Sequence, residues 1–237
     1  MTSETPTLRI SEIFGPTVQG EGALIGRPTV FVRTGGCGYR CAWCDTPYAV
    51  LPAYRDQWRS LDHAAVLAEV ERLAGGPILV TVSGGDPALQ DLDPLIRAGQ
   101  ERGHTFALET QGAVAPPWFA QLDYLTLSPK GPSSGHLTGL GELEACREAA
   151  GNGPETVFKV VVFDDADFDY ARELAANYPD RPFYLQVGNP VPVGEPEPAD
   201  LLARYRWLVE RTLSARWYQA TVLPQLHVLV WGNTPGV

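Results

Sequence analysis

The sequence predicts an α/β fold, a partial (β/α)6 barrel, on three observations. Six short apolar runs rich in β-branched and aromatic residues read as strands. Helix-patterned stretches alternate with them, which implies parallel pairing and right-handed crossovers. Polar turn clusters follow the strands on one common edge, where ligands gather in such folds. The barrel is TIM-like but has six units where the closed form has eight.

The strands are Pro28–Arg33, Ile78–Ser83, His104–Glu109, Tyr124–Ser128, Thr156–Phe163 and Phe183–Val187. The first helix runs from a cap at Ser60 to about Ala74, with Val66, Leu67, Val70 and Leu73 on one face. Ala88–Arg102, Leu140–Ala150, Asp165–Tyr178 and Pro198–Ser214 are the other helices. Pro116–Gln121 is too short to assign, and the C-terminal run around His227 is strand-like. No repeat or linker interrupts residues 1–237, which read as a single domain.

The 237 residues carry 18 Lys and Arg against 28 Asp and Glu, a net charge of -10. Phosphate backbones repel such a chain unless its cations are gathered, and no Lys/Arg cluster stands out, so a small-molecule substrate is favoured over nucleic acid. Met1–Thr7 lacks the basic start and apolar core of a signal peptide, and no apolar run approaches the roughly 18 residues of a membrane span. A cytoplasmic location is expected.

Five polar clusters follow the strands. The first is the cysteine loop, and Ser83-Gly84-Gly85-Asp86-Pro87, Glu109-Thr110-Gln111-Gly112, Ser128-Pro129-Lys130 and Gln186 with Gly188-Asn189-Pro190 complete the edge. Three of the four cysteines fall in Cys37-x3-Cys41-x2-Cys44. A disulfide framework would spread them out, so this spacing points to a metal or cluster site. Three thiolates suit a [4Fe–4S] cluster with one iron left open. Structural zinc is the alternative, with Cys146 or a distant His as fourth ligand, but no second ligand pair matches. Cys146, in a helical context, reads as a small buried residue.

The x3-x2 spacing with Trp43 before the last cysteine resembles the radical S-adenosylmethionine (SAM) superfamily. Phe14-Gly15-Pro16-Thr17-Val18-Gln19-Gly20-Glu21-Gly22 is similar to the signature of the 7-carboxy-7-deazaguanine synthase family. The likeness continues through Phe31-Val32-Arg33, Cys44-Asp45-Thr46, Ser83-Gly84-Gly85, Glu109-Thr110-Gln111-Gly112, Ser128-Pro129-Lys130 and Leu223-Pro224-Gln225-Leu226-His227, nearly the whole chain. The resemblance implies a radical SAM barrel that contracts the pyrazine ring of 6-carboxy-5,6,7,8-tetrahydropterin. Ammonia leaves, and 7-carboxy-7-deazaguanine forms for queuosine and other deazapurines. SAM, the cluster and Mg2+ would be the cofactors, a flavodoxin-type protein the reductant, and the enzyme a homodimer.

Residue roles follow from the same likeness. Cys37, Cys41 and Cys44 would hold the cluster. Trp43, Cys44, Asp45, Gly85, Ser128, Pro129, Lys130 and Gln186 would meet SAM, with Gly85 admitting it to the backbone. Thr46 would ligate Mg2+. Val18, Gln19, Gly20, Arg33, Ser83 and His227 would meet the pterin, with Arg33 gripping its carboxylate through two parallel bonds. Glu21 and Glu109 either read its donor-rich edge or are capped turn carboxylates. Asp86 stands where the superfamily usually has Glu, and its contact to SAM is not carried over. A glycyl-radical activase, acting on a protein partner, is the rival enzyme, and a zinc or iron–sulfur binding module the rival without catalysis.

Overall fold

The computed structural model describes residues 6–192 and 194–237. The start of the segment read as lacking a signal peptide, residues 1–5, lies outside them. One nine-stranded sheet dominates, in the order β3-β1-β2-β4-β5-β6-β7-β8-β9. Its strands are β1 (Thr7–Val18), β2 (Pro28–Thr34), β3 (Arg59–Asp62), β4 (Leu79–Gly84), β5 (Thr105–Thr110), β6 (Tyr124–Leu127), β7 (Glu155–Val162), β8 (Phe183–Val187) and β9 (Ala220–Leu223). The six expected strands are β2 and β4 to β8, consecutive and parallel. β9 extends the parallel series, whereas β1 runs antiparallel to both β2 and β3. The sheet does not close into a ring, as an open barrel requires.

Seven helices accompany the strands among the described residues: α1 (Pro47–Val50), α2 (His63–Ala74), α3 (Asp93–Gln100), α4 (Leu140–Ala150), α5 (Asp165–Asn177), α6 (Pro198–Ser214) and α7 (Leu226–Trp231). Three expectations are corrected. Ser60 lies in β3, and Asp62 caps α2 by accepting from the Ala65 amide at 2.8 Å. The stretch from Ala88 to Arg102 splits into a 3-10 turn, Pro87–Leu89, and a shorter α3 whose first turn carries Pro94. His227 sits in α7, because Pro224 ends the β9 ladder. Pro117–Gln121 is a 3-10 turn, so β5 has no full helix after it.

The period-2 alternation of the strands sorts two faces. Val30 and Val32 of β2, Val80 and Val82 of β4, Phe106 and Leu108 of β5, and Phe158, Val160 and Val162 of β7 face the main core. Val66, Leu67 and Val70 of α2 and Phe168, Ala171 and Leu174 of α5 cover it. Deleting one such side chain costs about 2–5 kcal/mol. The intervening residues turn to the other face, inside the barrel. Leu79 and Ala107 join Leu24 and Tyr124 there in a small second cluster at the strand beginnings. Further along the same face come Phe31, Arg33, Ser83, Glu109, Lys159 and Val161, which line a cavity at the strand ends.

Candidate active site

The cavity has a volume of about 250 Å3. Of the residues singled out in the sequence, Val18, Gln19, Gly20, Arg33, Cys37, Cys41, Trp43, Cys44, Asp45, Thr46, Ser83, Gly85, Ser128, Lys130 and His227 line it. Pro129 and Gln186 do not. Gln186, on the inner face of β8, is fully buried and donates to the Leu223 carbonyl at 3.4 Å, so it stands behind the cavity wall.

The cysteine loop leaves the end of β2. The Gly36 amide donates to Ala49 O at 2.7 Å, and the Asp86 amide to Gly36 O at 2.8 Å. These bonds pin the loop between α1 and the end of β4. A Cβ on Gly85 would overlap Gly36 O, so the packing of the loop against β4 itself requires glycine at this cavity-lining position. Cys37, Cys41 and Cys44 are each partly exposed, while Cys146 is buried and its thiol meets the Gly112 and Val114 carbonyls, both at 3.4 Å. Cys146 therefore packs behind β5 and is no fourth ligand. Cys37 contacts Gln111 Oε1 at 3.3 Å and accepts from the Tyr39 amide at 3.3 Å. Burial pushes the Cys37 thiol up to about 11 and raises those of Cys41 and Cys44. A metal centre held here would supply the positive charge that thiolates need. Among the described residues no three His, Cys, Asp or Glu side chains gather around one ion position. Three partly exposed thiols from one short loop on the cavity wall are the donor set that an iron–sulfur cluster takes.

Beside the loop, Trp43 donates to Ser133 Oγ at 2.9 Å and leans on the Phe163 ring, with centroids 5.3 Å apart. Lys130 donates to Ser128 Oγ at 3.1 Å and lies over the Trp43 ring. Asp86 accepts from Thr110 at 2.7 Å and from the Ala88 amide, and its buried Oδ2 has no partner. It caps the turn after β4 and does not line the cavity. Thr46 faces the cavity with its hydroxyl 3.9 Å from Cys44 Sγ.

Arg33 is held from two sides. Glu12, its cross-strand partner on β1, accepts from Nε at 2.6 Å and also from the Tyr48 hydroxyl at 2.9 Å. The guanidinium lies over the Phe14 and Tyr48 rings. Its two terminal nitrogens keep no protein partner among the described residues, so they remain for a ligand.

Opposite, on β7, stands a residue that sequence reading passed over. Lys159 is only 2% exposed, and its ammonium bridges Glu21 and Glu109, the latter at 2.5 Å. Gln225 donates to the other oxygen of Glu21 at 2.7 Å. Burial opposes ionisation of Glu21, but Lys159 and His227 outweigh it and hold the carboxyl at about 2. Burial likewise opposes the charge on Lys159, and Glu109 with Glu21 raises it well above the ordinary range. Glu21 and Glu109 are thus ion-paired, not turn caps. Glu109 keeps one oxygen without a partner among the described residues. His227 packs its ring over Gly20, where a Cβ would overlap Nδ1, and the Leu226 amide donates to Gly20 O.

Residues 31–133 match the radical SAM superfamily. A 7-carboxy-7-deazaguanine synthase of Bacillus cereus is 41% identical over 245 residues, covering 99% of this chain and all of that one. The chain belongs to the 7-carboxy-7-deazaguanine synthase family. The corresponding synthase of Bacillus subtilis is also 41% identical, with 96% and 98% covered. The crystal structure of QueE from Escherichia coli superposes with a TM-score of 0.69 at 25% identity, over 93% of this chain and 95% of that one. SuiB of Streptococcus suis, solved with S-adenosylmethionine, shares the fold alone, with a TM-score of 0.54 at 16% identity over 82% and 50% of the chains. Family membership makes this a radical SAM enzyme, with a [4Fe–4S] cluster and SAM as its cofactors. The activase alternative is not favoured. No helix among the described residues is long and apolar enough to cross a membrane.

Proposed function

We propose that this enzyme converts 6-carboxy-5,6,7,8-tetrahydropterin to 7-carboxy-7-deazaguanine with loss of ammonia, a step of queuosine and related deazapurine biosynthesis. The observation that carries the reading is the polarity of the cavity. Arg33 on β2 offers two guanidinium nitrogens without a partner among the described residues, and Glu109, two strands away on β5 and held by Lys159 of β7, offers a carboxylate oxygen, with the cysteine loop at the strand ends. The substrate carries a carboxylate at one end and a donor-rich, guanine-like edge at the other.

Cys37, Cys41 and Cys44 hold the cluster, and Trp43, Asp45, Gly85, Ser128 and Lys130 surround SAM. When bound, cluster and SAM supply the radical chemistry that opens the C6 position of the pterin. The chain itself binds and orients. Arg33 takes the carboxylate end-on, its Nε occupied by Glu12. Glu109 accepts from the opposite edge, steadied by Lys159. Val18, Gln19, Gly20, Ser83 and His227 close the remaining sides. Thr46 offers its hydroxyl to Mg2+, a hard cation that retains waters and substrate oxygens. A cytoplasmic homodimer reduced by a flavodoxin-type protein completes the reading.

Anaerobically reconstituted protein, given the pterin, SAM, Mg2+ and a reductant, is expected to yield 7-carboxy-7-deazaguanine, identified by mass. Cys41→Ala is expected to abolish the product. Undiminished turnover in Cys41→Ala, or an unreacted pterin in wild type that still cleaves SAM, contradicts the proposal.

A further inference from the structure

We propose that His136 and the turn that carries it hold the cysteine loop in its cluster-binding shape, which makes His136 a positioning residue for Cys41. The inference rests on the assignment of Cys37, Cys41 and Cys44 to the cluster. Between Thr34 and Pro47 the loop has neither helix nor strand. Within residues 37–46 its backbone supplies one hydrogen bond of its own, from Cys44 N to Cys41 O at 3.2 Å. Such a segment takes its remaining partners from elsewhere in the fold.

Those partners come from one turn, residues 132–136, which follows β6 and Lys130. The Arg40 amide donates to His136 Nε2 at 2.9 Å, and the Ala42 amide to Ser134 O at 3.0 Å. The Trp43 indole donates to Ser133 Oγ at 2.9 Å. The Tyr39 ring lies flat on the His136 ring, with centroids 4.6 Å and planes 4° apart. Loop residues 39 to 43 thus meet turn residues 136 to 133 in antiparallel order. Cys41 stands in the middle, and the amides of both its neighbours are taken by the turn. An amide only donates, so Nε2 of His136 is the acceptor and the ring proton sits on Nδ1. The Arg40 guanidinium is engaged separately, on the Cys37 and Tyr39 carbonyls at 2.8 and 2.6 Å.

The turn is itself braced. Ser134 Oγ donates to Gly131 O at 2.7 Å and accepts from the His136 amide at 2.9 Å. Asp167, fully buried in the first turn of α5, ties the turn to the neighbouring strand end. It accepts from the Ser133 amide at 3.0 Å and from the Phe163 amide, just past β7, at 2.9 Å. The Phe163 ring in turn packs against Trp43. The brace therefore reaches the cysteine loop from β6, β7 and α5. Groups that orient a ligand without touching the metal decide how firmly the metal is held. Loss of the anchor beside Cys41 weakens the hold on the cluster, and on SAM at its open iron, while all three thiolates remain.

The test uses anaerobic holoenzyme as wild type, His136→Phe, His136→Gln, Ser133→Ala and Cys41→Ala. Phe keeps a ring on Tyr39 and loses the acceptor, whereas Gln offers Oε1 in place of Nε2 and loses the ring. Iron release to a chelator is timed, and SAM affinity is read from the electron paramagnetic resonance spectrum of the reduced cluster. His136→Phe is expected to release iron about tenfold faster and to bind SAM about tenfold more weakly, with His136→Gln within about threefold of wild type. Ser133→Ala, which frees the indole, is expected to release iron about threefold faster. Equal release from wild type, His136→Phe and Ser133→Ala overturns the proposal, as does His136→Gln as impaired as His136→Phe. Cys41→Ala separates that failure from failure of the ligand assignment. It is expected to hold no [4Fe–4S] cluster, and a full cluster in Cys41→Ala removes the assignment of the thiols and the proposal with it.

Discussion

Lys159 shows how much a single buried charge decides. In Val157-Phe158-Lys159-Val160-Val161-Val162 it is the only charge in an apolar run, a sign that it must find a partner inside. That much is legible in the sequence. Its partners are not, since Glu21 lies 138 residues away and Glu109 enters from another strand. Lys159→Met leaves two half-buried carboxylates uncompensated and is expected to cost about 3 kcal/mol, read as a lowered urea midpoint at neutral pH. The stabilisation has a pH signature. The Glu21 carboxyl falls from 4.5 to about 2 on folding, so its contribution is complete above about 4.5 and is lost as pH drops toward about 2. Glu21→Gln is expected to flatten the stability profile across that window relative to wild type. Profiles of equal slope would show that Glu21 is not held ionised by the pairing.

At the level of elements, the six parallel strands were legible because strands buried on both faces read as continuous apolar runs. β1 escaped notice for the opposite reason. Leu8 and Ile10 are buried between exposed neighbours, and two register shifts and Gly15-Pro16 break the alternation. Yet β1 contributes Glu12, without which Arg33 has no fixed direction. The α2 cap moved from Ser60 to Asp62 because β3 pairs with β1 as far as Asp62. Asp62→Ala is expected to destabilise by about 1 kcal/mol, while Ser60→Ala, which loses only an exposed bond to Thr7, should stay within about 0.5 kcal/mol. Both are read from unfolding midpoints, and reversal of that order would restore Ser60 as the cap. Leu226–Trp231 reads as strand from the sequence because it is almost wholly apolar. Its helical form seats His227 on Gly20 and so brings the end of the described chain to the cavity.

Across the whole molecule, the parallel strands end on one edge, and the residues that follow them meet in one cavity: the cysteine loop after β2, Gly85 after β4, Gln111 after β5, Ser128 after β6, Phe163 after β7 and Asn189 after β8. The likeness of motifs reached most of these positions, but it could not supply the opposition of charge across the barrel, which depends on curvature and on Glu12 and Lys159. That opposition is the central claim: one wall reads a carboxylate and the other a donor-rich edge. The direct measurement is kcat/KM for 6-carboxy-5,6,7,8-tetrahydropterin against its analogue lacking the carboxylate, in wild type and in Arg33→Ala. Wild type is predicted to prefer the carboxylated pterin by about 100-fold or more, and Arg33→Ala to lose nearly all of that preference. The same preference in both proteins would contradict the account.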